Sequence, residues 1–182
     1  MTFKNNNNIW VFAYGSLIWK PDFDFVEAQP AILYGYHRAF CILSYLYRGS
    51  LDKPGLVLGL DIGGSCRGLA YRLPAKKSGQ ILSAIDAREM IYEVYEKRYC
   101  PIHLLQKSHQ SKVVAKTYIA NRRSPQYTGK LTQRETLKFI RQGKGSAGTA
   151  KNYLKNTVFH LAQIGLPDKP LEELLRSLDH YN

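Results

Sequence analysis

Glu89 stands in the stretch from Ser78 to about Lys97, where Leu82, Ile85 and Tyr92 recur at the 3-4-3 spacing of one helix face. It takes a place where that stripe calls for an apolar side chain. A carboxylate turned inward costs free energy unless a cation pairs with it or a pocket solvates it. In a pocket, desolvation raises its pKa, and Glu93 one turn on would add like-charge pressure. Such a group suits general acid or base chemistry. The same spacing also fits a buried ion pair, with Arg88 or Arg72 as partner, or a helix rotated to expose the carboxylate.

A second constellation is a loop, Ala13, Tyr14, Gly15, Ser16, Leu17 and Ile18. The apolar, β-branched and aromatic run Ile9 to Tyr14 predicts a buried strand, and Gly15-Ser16 breaks it at once. A strand ending in this way leaves successive backbone N–H groups outside the ladder. They form either an ordinary turn or a concavity for an anion or a developing oxyanion, which Gly15 lets a ligand approach closely. Ser16 is not read as a nucleophile, because the G-x-S-x-G pattern is absent.

Other patterns carry less. Gly143 to Gly148 matches G-x-G-x-x-G, but no strand precedes it and no βαβ unit surrounds it, so it reads as a loop entering a helix. Cys100 and His103 have C-x-x-H spacing without a second pair, and His37, His109, His160 and His180 form no ligand set. No metal and no cofactor is therefore expected. Cys41, Cys66 and Cys100 read as reduced, buried small hydrophobes.

The elements that must hold these residues follow from periodicity and turn chemistry. Ile32 to Tyr47 predicts one or two strands. Leu56 to Ile62 and Cys66 to Leu73 flank Gly63-Gly64, a hairpin signal. Strands are expected again at Ile102 to Leu105 and Lys112 to Ala120. Thr132 with Glu135 predicts a capping box opening a helix through Gln142. Thr149 to Gln163 carries Leu154, Val158 and Leu161 on one stripe before Gly165 and Pro167. Pro170 opens a last helix with Leu171, Leu174, Leu175 and Leu178 inward. Strands, a helix, more strands and then helices make an α+β order.

The 182 residues suit one domain over 9–182 behind a polar tail, 1–8, and the net charge of +12 is unevenly placed. Residues 97–151 hold 13 basic residues and one acid, Glu135, whereas the rest of the chain is close to neutral. Lys107, Lys112, Lys116, Arg122, Arg123, Lys130, Arg134, Lys138, Arg141 and Lys144, with Tyr118 and Tyr127 between, could track phosphates. No nucleic-acid-binding motif accompanies them, so a solvated basic face that steers small anions is the favoured reading and nucleic acid is not an expected partner. No apolar run approaches bilayer length and the Asn-rich start lacks the apolar core of a secretory signal, so the expectation is a cytoplasmic protein with no membrane partner. Oligomeric state is not legible.

Taken together, Trp10 to Pro21, Gly35-Tyr36-His37-Arg38, Pro54 to Leu58, Cys66 to Arg72, Arg88-Glu89-Met90 and Gly145 to Leu154 resemble the ChaC-type γ-glutamylcyclotransferases over about residues 9–180. The resemblance implies a compact mixed β-barrel with flanking helices. It implies a cofactor-independent, lyase-type enzyme that releases 5-oxoproline and Cys-Gly from glutathione, a small-molecule substrate. It assigns Glu89 as catalytic acid/base and the loop Ala13 to Ile18 as the γ-glutamyl-binding loop. Other γ-glutamyl amines or dipeptides are the alternative substrates, and a non-catalytic basic module binding RNA or another anion is the alternative outside catalysis. Some relatives carry glycines just after the catalytic Glu, where this chain has Met90-Ile91-Tyr92. That difference bears on pocket shape and the leaving group.

Overall fold

The computed structural model describes residues 9–105 and 110–180, so the polar tail 1–8, Lys107 and His109 lie outside the described residues. Five strands close a barrel in the order β1-β3-β2-β4-β5: β1 (Ile9–Ala13), β2 (Glu27–Ser44), β3 (Gly55–Leu73), β4 (Tyr95–Leu105) and β5 (Gln110–Ala120). Neighbours are antiparallel except β1 and β5, which meet in parallel at Trp10 and Ala115 and close the ring. The barrel is therefore mixed, and closure leaves no long edge for another chain to pair with.

β1 is the driest strand. Val11, Phe12 and Ala13 are almost wholly buried, with Leu58, Leu60, Ala70, Ile102 and Leu154 in the same core. A strand covered on both faces explains a continuous apolar run in place of alternation. Burying each large side chain contributes roughly 1.5–3 kcal/mol.

Gly63-Gly64 is not a hairpin turn. β3 runs unbroken from Gly55 to Leu73 beside the equally long β2. The register moves from Tyr34↔Ser65 to Tyr36↔Ile62, so two glycines oppose one, Gly35. All three have positive φ, between +69° and +102°. This is a glycine bulge that bends two long strands around the barrel.

The first helix is also shorter than its pattern suggests. α1 runs Ser78–Glu89, and Glu93 at φ +50° ends any helical continuation. Asn121 then takes over: its N–H donates to the Val94 carbonyl and its amide to the Glu93 carbonyl. Tyr92 accordingly leaves the helical stripe and Glu93 does not stack one turn after Glu89. α2 (Gln133–Gln142) opens with the capping box of Thr132 and Glu135. A short hairpin, β6 (Lys144–Gly145) and β7 (Gly148–Thr149), occupies the G-x-G-x-x-G segment. α3 (Ala150–Gln163), capped by Thr149, buries Leu154 and Leu161, and α4 (Lys169–His180) buries Leu171 and Leu178. Among the described residues no helix is long and apolar enough to cross a membrane.

Candidate active site

Glu89 is the last residue of α1 and lines a cavity of about 680 Å³. Ser16, Trp19, Arg48, Tyr95 and Tyr153 share that cavity with it. The carboxylate is 17% exposed, and its ion-pair partner among the described residues is its neighbour, with Arg88 Nε 3.2 Å from Glu89 Oε1. Burial raises the Glu89 pKa and the Arg88 charge offsets this only in part. Arg72, the other candidate partner, is engaged by Glu27 at 2.7 Å. Glu93 plays no part in the shift.

Arg88 also joins the helix to the loop. One Nη donates to Ser16 Oγ at 3.0 Å and the other to the Lys20 carbonyl at 2.7 Å. The loop itself is pinned from below. Arg38 Nε donates to the Tyr14 carbonyl at 2.6 Å, and the Tyr14 hydroxyl donates to the Tyr118 carbonyl at 2.8 Å. The Tyr71 hydroxyl reaches the carbonyls of Leu17 and Ile18 at 3.0 and 3.2 Å. Carbonyls are thus consumed on the protein side, while among the described residues no hydrogen bond uses the N–H of Gly15, Ser16 or Leu17. These are the first amides of the 3-10 turn Ser16–Ile18, which has no intrahelical acceptor for them.

Of the loop residues singled out by sequence, Ser16 lines the cavity. Gly15 abuts it: a Cβ at this position would stand 2.9 Å from the Tyr153 hydroxyl, which itself lines the cavity. The side chains of Ala13, Tyr14, Leu17 and Ile18 are core residues, all at most 8% exposed. Their role is to place backbone.

Buried phenols feel the charge of Glu89, among them Tyr14, Tyr95 and Tyr153. Burial first, and then neighbouring groups that include Glu89, hold Tyr14 and Tyr95 well above the ordinary tyrosine value. Burial and Glu89 likewise raise Tyr153. All three are therefore neutral hydrogen-bond donors at any working pH. The Tyr95 hydroxyl donates to the Leu58 carbonyl at 2.7 Å. Arg48 packs its guanidinium 5.4 Å over the Tyr153 ring and donates weakly to the Thr149 carbonyl at 3.4 Å. Tyr95, Tyr153 and Arg48 carry no local sequence signal that marks them as cavity residues. Tyr95 comes from the start of β4, Arg48 from the segment after β2 and Tyr153 from α3, so tertiary packing brings them to the cavity of Glu89.

The two tyrosines between the basic residues are engaged within the fold. Tyr118 is 2% exposed and donates to Asp86, and Tyr127 donates to Asp61. Lys116 and Lys97 pair with Asp86, Arg98 with Glu96 and Arg122 with Asp61. Several positive charges of residues 97–151 are thus met by acids outside it. The three cysteines are buried and free. The His103 ring packs edge-on against Tyr34, and among the described residues no three metal-ligating side chains converge.

Comparison with known proteins agrees with this geometry. The family model for ChaC-like proteins matches residues 9–181. The glutathione-specific γ-glutamylcyclotransferase of Escherichia coli K12 is 35% identical over 170 residues, covering 93% of this chain and 72% of that protein. A γ-glutamylcyclotransferase of Arabidopsis thaliana is 32% identical over 179 residues, covering 94% of this chain and 89% of its own length. The crystal structure of a yeast γ-glutamylcyclotransferase specific to glutathione superposes with a TM-score of 0.87 at 23% identity, over 97% of this chain and 98% of that one. That likeness concerns the fold, and the mixed barrel with flanking helices is shared. A match spanning nearly every described residue, on a frame that puts Glu89 and Ser16 into one cavity, means that the chain belongs to the ChaC-like family.

Proposed function

We propose that this protein is a γ-glutamylcyclotransferase that cleaves glutathione to 5-oxoproline and Cys-Gly. The observation that carries the reading is Glu89, a desolvated carboxylate in one cavity with Ser16, whose own N–H and those of Gly15 and Leu17 have no internal acceptor among the described residues. At neutral pH the α-amine of a γ-glutamyl group is mostly ammonium and cannot attack. A carboxylate whose pKa is raised toward the working range is a competent base for that proton.

The freed amine attacks the γ-carbonyl of its own residue and forms the C–N bond of a five-membered lactam. The carbonyl oxygen takes up negative charge in the tetrahedral intermediate. The amides of Gly15, Ser16 and Leu17 hold negative charge at this place, either the substrate α-carboxylate or the developing oxyanion. Glu89 then returns its proton to the departing cysteinyl nitrogen as the old amide bond breaks. The attacking nitrogen loses two protons, one from the ammonium before attack and one from the tetrahedral intermediate as the lactam forms. The departing nitrogen gains two, one as the amide bond breaks and one as the released amine becomes an ammonium, so protons balance. The attack is intramolecular, so the cavity mainly has to fold the substrate, and proximity can account for about 7–11 kcal/mol of the barrier. Among the described cavity cations, Arg48 has no carboxylate within ion-pair distance and suits the glycyl carboxylate of the leaving dipeptide.

The test is incubation of the purified protein with glutathione and separate quantitation of 5-oxoproline and Cys-Gly. Stoichiometric release of both is expected. Absence of 5-oxoproline, with release from a γ-glutamyl amine instead, would reassign the substrate.

A further inference from the structure

The cavity that holds Glu89 is bordered by apolar side chains that solvent reaches. Leu46 and Tyr47 from the segment after β2 are 38% and 40% exposed, and Ile91 and Tyr92 from the segment after α1 are 47% and 49% exposed. All four line the cavity. Exposed apolar groups gathered around one concavity mark a surface that is covered when its ligand binds. The segment carrying Ile91 and Tyr92 is held in place by backbone. The Met90 N–H donates to the Asp86 carbonyl, the Glu93 N–H to the Met90 carbonyl, and the Asn121 amide to the Glu93 carbonyl. These side chains are therefore presented to the mouth by a fixed frame.

Resting on the γ-glutamylcyclotransferase reading, we propose that the site also takes S-substituted glutathiones and that the apolar rim receives the sulfur substituent. The scissile bond lies at Glu89, so everything on the leaving-amine side extends toward the mouth. Two arms leave the cysteinyl α-carbon. The glycyl arm ends in a carboxylate and matches Arg48. The sulfur arm is the one that can carry apolar surface, and Leu46, Tyr47, Ile91 and Tyr92 offer it a matching wall. A cavity of about 680 Å³ is of the size that encloses a drug-sized molecule, more than a γ-glutamyl group fills. The reaction is unchanged in its balance: the lactam C–N bond forms, the amide C–N bond breaks, and the products are 5-oxoproline and an S-substituted Cys-Gly.

The experiment measures kcat/KM for 5-oxoproline release from glutathione and from S-methyl-, S-propyl- and S-hexylglutathione, with γ-glutamyl-leucine alongside. From S-methyl to S-hexyl the expected rise is up to about fourfold per methylene, the transfer value for a buried CH₂. The double variant Ile91→Ser/Tyr92→Ser flattens that slope. Release from glutathione with a flat or falling alkyl series overturns the inference and leaves the parent reading standing. So does an unchanged slope in the double variant. γ-Glutamyl-leucine turned over as fast as S-hexylglutathione also overturns it, because the apolar gain then does not come through the sulfur arm. No 5-oxoproline from any of these compounds sinks the parent reading and this one with it.

Discussion

Asp86 and Glu89 are carboxylates one turn apart on α1, and the barrel treats them in opposite ways. Asp86 receives Lys116 Nζ at 2.6 Å, the Tyr118 hydroxyl at 2.6 Å and Lys97 Nζ at 3.4 Å. Burial works to raise its pKa, but the bonds from Lys116 and Tyr118 outweigh burial and hold it below the ordinary value of 3.8. Glu89 has one cation, Arg88, whose other nitrogens are spent on Ser16 and Lys20. There burial wins, and the pKa goes up. The lesson is that depth with a single cation raises one carboxylate, while several donors aimed at a shallower one lower the other.

The contrast is broken most severely at Glu89. Glu89→Gln keeps shape and removes the base, so glutathione turnover falls by about 10²–10⁴ while the circular dichroism spectrum is retained. Near-normal turnover would move the chemistry elsewhere. On the structural side, Lys116→Met strips Asp86 of its closest cation; the Lys116 side chain is only 4% exposed. Removing one partner of such a pair is expected to cost about 2–4 kcal/mol in urea denaturation, and Asp86→Asn/Lys116→Met less than the sum of the singles. Additive costs would mean that the pair is incidental.

A smaller effect sharpens the loop's part. Gly15→Ala places a Cβ 2.9 Å from the Tyr153 hydroxyl, so the loop or the phenol has to shift. Displacing loop or phenol lowers kcat/KM by up to about 10²-fold. Tyr153→Phe in that background removes the clashing oxygen and recovers part of the loss. No recovery would place the defect away from that contact.

The smallest effect is on stability against pH, with opposite signs. Folded Glu89 binds its proton more tightly than the unfolded chain does, so its stabilising contribution is complete below the ordinary value of 4.5 and is lost as pH rises through the raised one. For Asp86 the contribution is present above 3.8 and is lost as pH falls through the depressed value. Glu89→Gln should therefore melt no lower than wild type at pH 7, with the gap closing in acid. Asp86→Asn should melt lower at pH 7, with its deficit closing in acid. The same pH trend in both variants would erase the distinction.

The sequence announces this site unevenly. Glu89 is visible because it interrupts an apolar stripe, and the loop because a dry strand stops at Gly15-Ser16. The capping box at Thr132 and Glu135 is equally local and needs no tertiary knowledge. What escapes is set by distant partners. Gly63-Gly64 carries the residue signal of a turn, and only the pairing of β3 with the full length of β2 makes it a bulge. The helix pattern runs past Glu89 on paper, but Asn121 captures Val94 and Glu93 for a strand start. The positive charge of residues 97–151 likewise shifts in meaning once Asp86 and Asp61 reach Lys116 and Arg122 across the fold.

The central claim, that the desolvated Glu89 is the base, is tested most directly by the pH dependence of kcat/KM for 5-oxoproline release from glutathione, in wild type and Glu89→Gln side by side. Wild type should rise along an acidic limb with its midpoint above 4.5, the ordinary glutamate value, and Glu89→Gln should lose that limb together with most of the rate. The same limb persisting in Glu89→Gln at a near-normal rate would contradict it.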